Sequence, residues 1–241
     1  MYKIIITKNS LNLKKASLLY WFPKTRHLSV PQPKTYICRI SKKDIEHVLA
    51  TENSAFVNRL KKCANLLGYP LFMKTDYTSN KYDWLNCPYV TNEVTLIRNL
   101  RNIIKYSKRF IEYPINAIIL REILKPKVIF YAFRNMPITI ERRYFVRNGK
   151  VECHHPYWEE SEIRNPSRKD WRYLLRRANI ETHDEIQLLS GYAEKISRRL
   201  KGYWSLDFYK DINNKWYFID AAPGSVSWHP YKSLHNKRRY Q

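Results

Sequence analysis

Strand-like and helix-like segments follow one another in this sequence in an order that limits the folds it can adopt. Strand-like apolar segments surround an amphipathic helical segment at residues 92–107, and a second strand pair follows two further helical segments. Asn148 and Gly149 are a strong hairpin signal, because both residues readily adopt positive φ. Strands and helices do not alternate regularly. The order therefore predicts an α+β fold with largely antiparallel sheets and helices packed on them.

A change of pattern near residue 68 predicts two parts of the chain. Residues 2–7 and 17–22 are strand-like, and Ser41 is expected to begin a helix as its N-cap. The later segments are longer and follow the strand and helix order described above. We therefore predict a small N-terminal α/β region, residues 1–68, and a larger domain over residues 69–241.

Composition excludes two common nucleotide-binding classes and indicates an anionic partner. The chain has only 5 glycines, and it contains neither G-x-G-x-x-G nor G-x-x-x-x-G-K-[ST], which argues against Rossmann and P-loop folds. Lys and Arg number 44 against 21 Asp and Glu, which gives a formal charge of +23. Such an excess attracts polyanions, so nucleotides, nucleic acid and anionic membranes are all compatible with the charge, although the basic residues are dispersed along the chain.

The four cysteines are widely separated and form no C-x-x-C pair. Together with the lack of a signal peptide, this spacing is typical of reduced thiols in a cytoplasmic protein. The apolar segment at residues 2–7 is far too short to cross a bilayer. We therefore expect a cytoplasmic location and no membrane partner.

Two aspartates on the last predicted strand pair form a candidate metal site. Asp207 lies between apolar neighbours in W-S-L-D-F, and Asp220 ends the adjoining strand W-Y-F-I-D. Carboxylates on paired strands can face the same point, and Mg²⁺ takes few protein ligands while phosphate oxygens and water complete its shell. The alternative interpretation is that each aspartate only ends a strand.

Basic residues near an earlier strand form a candidate phosphate site. Lys74 ends an apolar strand, where its ammonium can act on a phosphate as a point charge. The polar segment that follows includes Ser79 and Lys81, whose side chains could also contact phosphates. The alternative is an ordinary solvated basic loop.

Charged residues also interrupt two later strands. Arg121 and Glu122 follow the apolar run I-I-L, and charges in such strands are usually paired or face a ligand. In the strand at residues 141–146, alternation places Glu141 and Arg143 on one face. These two residues either form a structural ion pair or contact a metal-bound nucleotide, with the arginine binding phosphate oxygens bidentately.

This ordered set of residues resembles the ATP-grasp superfamily. In that family a lysine on an early strand binds phosphate, and a strand ending near a glutamate leads into the adenine-binding hinge. A later arginine contacts the phosphates, and two late acidic strands bind magnesium. The matching residues, in chain order, are Lys74, Glu122, Arg143, Asp207 and Asp220. The resemblance covers roughly residues 70–230 and implies two α+β subdomains that clasp a nucleotide.

Shorter motifs are similar to those of the cell-division-cycle ATP-grasp proteins that help assemble a translation initiation factor. One is the run K-x4-S-x-K-x-D-W-x2-C that begins at Lys74, and another pairs E-x-R-x-F-V with a later I-D-x-x-P. Small ATP-grasp proteins of phages and bacteria are similar too. One difference concerns the metal: Ala222 stands where the family has asparagine, so a ligand is lost or is supplied by Asp207, Glu141 or water.

The resemblance implies an ATP- and Mg²⁺-dependent ligase that phosphorylates a carboxylate and lets an amine or another nucleophile displace the phosphate. Lys74, Lys81 and Arg143 would neutralise the transferring phosphoryl group. The cofactor-binding residues it implies are Lys74, Ser79, Lys81, Arg121, Glu122, Glu141 and Arg143, with Asp207 and Asp220 as metal ligands.

The substrates themselves are not specified by the sequence, and a protein or peptide is among the candidates. Ser225, Ser227 and His229 follow the metal strand at a place where a substrate could bind. Residues 1–68 are expected to shape the substrate side.

Two alternative functions stay open. One is an ATP-dependent assembly chaperone or binding module, in which ATP gates a protein partner with little turnover, as the cell-division-cycle relatives suggest. The other is nucleic-acid-linked ligation or modification, which the charge of +23 favours and the absence of a nucleic-acid-reading motif opposes.

Overall fold

A computed structural model describes residues 14–51, 54–110 and 114–229 of the chain. The helices in this part are α1 (Leu18–Thr25), α2 (Lys42–Ala50), α3 (Ala55–Leu67), α4 (Glu93–Phe110), α5 (Trp171–Ala178) and α6 (His183–Arg199). The strands are β1 (Thr35–Arg39), β2 (Leu71–Thr75), β3 (Tyr89–Val90), β4 (Ala117–Glu122), β5 (Phe130–Ala132), β6 (Met136–Ile138), β7 (Glu141–Arg147), β8 (Lys150–Pro156), β9 (Tyr203–Lys210) and β10 (Trp216–Pro223). None of the described helices has the length and apolar character needed to cross a membrane.

The chain divides into two compact units. The first comprises Pro33–Leu124 and Ala132–Met136, and the second comprises the remaining described residues. The boundary predicted after residue 68 falls inside the first unit, between α3 and β2. The physical reason is that β1 pairs with β4, which places residues from both sides of that boundary in one sheet. The division into a region that shapes the substrate side, residues 1–68, and a larger domain, residues 69–241, stays a prediction.

The first unit is a four-stranded antiparallel sheet covered on one face by helices α2, α3 and α4. The strand order is β1-β4-β2-β3. Strand residues such as Leu71 and Met73 point into an apolar core with the helices. The helical stripe expected within residues 92–107 is confirmed, because the core includes Leu96, Leu100, Ile103 and Ile104 of α4, all fully buried. Alternation turns the intervening strand residues to the other face of the sheet.

The second unit contains another four-stranded antiparallel sheet, in the order β10-β9-β7-β8. Helices α1 and α6 pack on the same face, where Trp21 of α1 contacts Phe218 and Phe218 contacts Phe208. The predicted hairpin is confirmed: β7 and β8 pair antiparallel, with φ of 48° at Asn148 and 90° at Gly149. Both units therefore match the predicted α+β class.

The strand predicted over residues 17–22 is wrong, because these residues belong to α1. Ser17 is the N-cap, and its hydroxyl accepts a hydrogen bond from the backbone N–H of Leu19 at 3.2 Å. Leu18, Trp21 and Phe22 are buried together, a spacing of three to four residues that suits one face of a helix. The N-cap predicted at Ser41 is confirmed, and the strand predicted over residues 2–7 lies outside the described residues.

Candidate functional site

A row of polar side chains crosses the sheet of the second unit on the face opposite α1 and α6. Directly facing residues on antiparallel strands lie on the same side of a sheet. The register places four residues next to one another from β8 to β10: His155, Arg143, Asp207 and Asp220. Three of them are residues predicted from the sequence, and the sheet brings them together.

A β-bulge at Ile219 brings Asp220 into this row. Phe218 pairs with Phe208 on the helix-covered face, and the next paired residue of β10 is Asp220, opposite Asp207. Regular pairing would leave Ile219 opposite Asp207 and would turn Asp220 towards the helices. The extra residue therefore gives both carboxylates the same orientation.

Arg143 and Asp207 form a bidentate ion pair. The Nε atom of Arg143 donates to Oδ1 of Asp207 at 2.7 Å, and Nη2 donates to Oδ2 at 2.8 Å. The guanidinium also donates through Nη1 to the carbonyl of Trp228 at 3.3 Å and lies 4.7 Å from the Tyr157 ring centroid. Burial by itself would lower the pKa of Arg143, but Asp207, assisted by Tyr157 and Asp220, raises that pKa well above its ordinary value.

Glu141 lies on the same face of β7 as Arg143, as strand alternation predicts. The partner of Arg143 is Asp207 rather than Glu141. The buried Oε1 of Glu141 accepts hydrogen bonds from Thr139 Oγ1 and Trp158 Nε1, each at 3.0 Å. The ligand-binding role of Glu141 stays a prediction.

Asp207 and Asp220 are the residues of this row that could hold a magnesium ion. They are directly opposite each other and both act electrostatically on Arg143. Two hard oxygen donors fit Mg²⁺, which usually keeps water and phosphate oxygens in its other positions. Ala222 offers no side-chain donor, and in the described residues no group of three or more Asp, Glu, His or Cys side chains could hold a metal. The donor set therefore fits a site with two protein carboxylates.

Two of the three predicted substrate residues make contacts within the second unit. The hydroxyls of Ser227 and Ser205 are hydrogen-bonded at 2.5 Å. His229 is buried, with Nε2 at 3.0 Å from Cys153 Sγ. Ser225 is exposed. Substrate contact stays a prediction for all three residues, and Ser225 has the surface position that this role requires.

His155, Tyr157 and Trp228 surround Arg143, and the sequence did not predict this position for any of them. The predicted hairpin turn implies a pairing partner for Arg143 on β8, but this partner differs from the one observed. A regular two-residue hairpin at residues 148–149 would pair Arg143 with His154, whereas a bulge in β8 shifts its partner to His155. The alternation of residue types along the sequence does not show where such a bulge lies.

The buried His155 should make stability depend on pH. Its pKa is lowered from 6.5 to about 4, mainly by burial; the hydrogen bond to the carbonyl of Pro156 opposes this shift, and Arg143 adds to it. As the pH falls from 6.5 towards 4, the unfolded chain binds a proton that folded His155 does not. We therefore expect the free energy of unfolding to lose about 3 kcal/mol over this range through His155.

Chemical denaturation at several pH values would measure this loss. The His155→Phe variant should lose less stability between about pH 7 and about pH 4.5. The His183→Asn variant, which alters an exposed histidine, should follow the wild type. Equal pH dependence of the wild type and His155→Phe would contradict the prediction.

In the first unit, Lys74 and Arg121 lie on the sheet face opposite the helices. Leu71 and Met73 point into the core, so alternation places Lys74 on the other face, where Arg121 pairs with Phe72. Lys74 and Arg121 are each only 5% exposed. Cations this deeply placed are normally paired or face a ligand.

The segment after Lys74 is an ordered turn. Thr75 Oγ1 accepts hydrogen bonds from the backbone N–H groups of Tyr77 at 3.2 Å and Thr78 at 2.9 Å. These two N–H groups are therefore used within the turn, and Ser79 and Lys81, both half-buried, are the phosphate-binding candidates in it. Their role stays a prediction.

Glu122, the residue predicted to lead into the adenine hinge, ends β4 in the first unit. Its backbone N–H donates to the carbonyl of Lys34 at 3.0 Å, and its carboxylate accepts from the N–H of Lys34 at 2.7 Å. This reciprocal pair holds the end of β4 to the residue that precedes β1. The adenine-binding role of Glu122 stays a prediction.

No protein-family model and no curated protein matches this sequence. Solved structures do match. Cdc123 from Schizosaccharomyces pombe has a TM-score of 0.57 and 15% identity, over 91% of this chain and 86% of that protein. A D-alanine–D-alanine ligase from Bacillus anthracis, complexed with ATP, has a TM-score of 0.50 and 13% identity, over 86% of this chain and 53% of the ligase.

The chain has the ATP-grasp fold. A RimK domain ATP-grasp protein from Sphaerobacter thermophilus also matches, with a TM-score of 0.49 and 12% identity over 89% of this chain and 61% of that protein. The matches to Cdc123 and to the D-alanine–D-alanine ligase confirm, for the fold, the resemblance inferred from Lys74, Glu122, Arg143, Asp207 and Asp220. This chain spans only about half of the length of the D-alanine–D-alanine ligase.

Proposed function

We propose that the protein binds ATP with magnesium and uses it in a ligase-type reaction. The main support is the row formed by Arg143, Asp207 and Asp220 on one sheet face of a chain with the ATP-grasp fold. Two carboxylates suit a magnesium ion, and a guanidinium suits phosphate oxygens. The reaction would phosphorylate a carboxylate and let an amine or another nucleophile displace the phosphate.

Each residue has a defined role in this proposal. Asp207 and Asp220 orient the metal, which when bound neutralises charge on the triphosphate. Arg143 binds phosphoryl oxygens bidentately, and Lys74 and Lys81 act as point charges on phosphate. A phosphoryl group stabilised electrostatically in this way can be transferred without a protein nucleophile.

An ATP-gated assembly chaperone is the second candidate function. The observation that favours it is the match to Cdc123, which covers 86% of that protein, against 53% of the D-alanine–D-alanine ligase. In this case ATP would control the binding of a protein partner with little turnover.

Phosphate release distinguishes the two functions. The protein would be incubated with ATP, Mg²⁺ and pools of amino acids, peptides or polyamines, and inorganic phosphate would be measured. Release that depends on an added carboxylate and amine supports the ligase. Tight ATP binding without release in any pool supports the chaperone, and the absence of ATP binding rejects both.

The Lys74→Met variant should separate phosphate binding from adenosine binding. Methionine replaces the buried lysine with an apolar side chain of similar length. We expect affinity for ATP to fall roughly tenfold or more, because a charge-assisted phosphate contact is lost, while affinity for adenosine is unchanged. Isothermal titration calorimetry measures both values.

The matched control is Lys62→Met, which alters an exposed lysine of α3 in the same unit and should change neither affinity. Equal losses for ATP and adenosine in Lys74→Met would reject the assignment of Lys74 to phosphate.

A further inference from the structure

The ion pair between Arg143 and Asp207 uses both oxygens of a carboxylate to which we assign magnesium. Nε and Nη2 of Arg143 lie 2.7 Å and 2.8 Å from the two oxygens of Asp207. A fork-to-fork pair of this kind is among the strongest hydrogen-bonded ion pairs in proteins. Each oxygen keeps one further lone pair, so a metal ion that binds Asp207 while this ion pair persists lies close to a guanidinium that repels it.

Other groups of the second unit hold the guanidinium on Asp207. Trp228 accepts its third hydrogen bond through a backbone carbonyl, and the Tyr157 ring lies 4.7 Å from it. The side chains of Arg143 and Asp207 are only 14% and 12% exposed, so water screens the pair weakly. Asp220, directly opposite Asp207, adds a second negative charge near the same cation.

We propose that Arg143 acts as a built-in counter-cation, which excludes magnesium from Asp207 until the phosphates of a nucleotide bind Arg143. The inference rests on the proposed function, since it assumes that Asp207 and Asp220 hold the metal. The ion pair would make the binding of metal and nucleotide cooperative, because each ligand binds better once the ion pair has opened.

The physical basis is competition between two cations for one pair of oxygens. A guanidinium and Mg²⁺ repel each other and cannot both make their best contacts with Asp207. A triphosphate offers Arg143 another bidentate acceptor, so the arginine can leave the carboxylate and still have an anionic partner. Phosphate oxygens also provide the ligands that two carboxylates leave missing around Mg²⁺.

Binding of Mn²⁺ without nucleotide tests the proposal directly. Mn²⁺ prefers the same oxygen donors as Mg²⁺, and electron paramagnetic resonance measures the unbound ion. We expect wild-type protein to bind Mn²⁺ weakly and Arg143→Gln to bind it roughly tenfold or more tightly, since the competing cation is gone. Adding Asp207→Asn to Arg143→Gln should abolish this gain, which assigns the ion to Asp207.

Two further variants act as controls. Arg147, on the same face of β7, pairs with Glu152 at 2.6 Å, and its side chain is 45% exposed. The Arg147→Gln variant also removes a paired arginine from β7, and its Mn²⁺ affinity should equal that of the wild type. Arg143→Lys keeps the positive charge but lacks the two parallel N–H donors of the guanidinium, so its gain in Mn²⁺ affinity should lie between zero and that of Arg143→Gln. Circular dichroism identifies the variants that fold.

Failure of this inference can be distinguished from failure of the proposed function. If Arg143→Lys and every folded Arg143→Gln sample bind Mn²⁺ no better than the wild type, the counter-cation role is wrong. If the wild type binds magnesium-ATP in that case, the proposed function stands. If the wild type does not bind magnesium-ATP at all, the proposed function fails, whatever the Mn²⁺ result.

Discussion

The Asp220→Asn variant is expected to bind magnesium-ATP about 100-fold more weakly than the wild type, with its fold intact. The change removes one of the two carboxylates assigned to the metal and keeps the volume of the side chain. The amide is a much poorer ligand for Mg²⁺ than a carboxylate. Isothermal titration calorimetry would measure the affinity, and thermal unfolding would show that the variant folds.

The control for this variant is Asp170→Asn, which alters an exposed carboxylate of the same unit that pairs with Arg168. Its affinity for magnesium-ATP should be that of the wild type. If Asp220→Asn also binds like the wild type, the assignment of the metal to this row is wrong.

The Arg142→Met variant is expected to lose about 3–5 kcal/mol of unfolding free energy. The Arg142 side chain is only 1% exposed, and its Nε lies 2.6 Å from Glu185 and 3.4 Å from Glu181. The same guanidinium donates to the carbonyls of Ala178 and Ile180. Methionine fills the space but leaves a buried carboxylate without its guanidinium, which is the costly part of the change. Urea denaturation would measure the loss.

Two comparisons make this result specific to the buried pair. Arg172, whose side chain is 64% exposed, pairs with Glu160 at 3.7 Å. Its methionine variant should therefore change stability by less than about 1 kcal/mol. Adding Glu185→Leu to Arg142→Met should recover part of the loss, because the carboxylate closest to the missing guanidinium is then also absent. A loss below about 1 kcal/mol in Arg142→Met would contradict the interpretation.

Arg142 and Arg143 show how a strand separates two functions in adjacent residues. Arg142 points to the helix-covered face and holds α6 through Glu185, whereas Arg143 points to the other face and pairs with Asp207. Alternation along a strand predicts this separation from the sequence. The partners are not predictable in the same way, since Asp207 lies 64 residues further along the chain.

Local patterns predicted most of the secondary structure because each depends on neighbouring residues. The N-cap at Ser41 and the turn at Asn148 and Gly149 depend on groups within a few positions. The error at residues 17–22 has the same origin: a short apolar run is compatible with a strand or a helix. Burial of Leu18, Trp21 and Phe22 together in the second unit favours the helix.

The α+β class and the face of β7 on which Arg143 lies could both be predicted from the sequence, because alternation and capping are local properties. Two features of the site depend on strand pairing instead: Asp220 lies beside Asp207 because of the bulge at Ile219, and His155 rather than His154 faces Arg143 because of the bulge in β8. A single extra residue in a strand reverses the orientation of every side chain after it. The position of this extra residue depends on pairing with strands that are distant in the chain, so the periodicity of the sequence does not predict it.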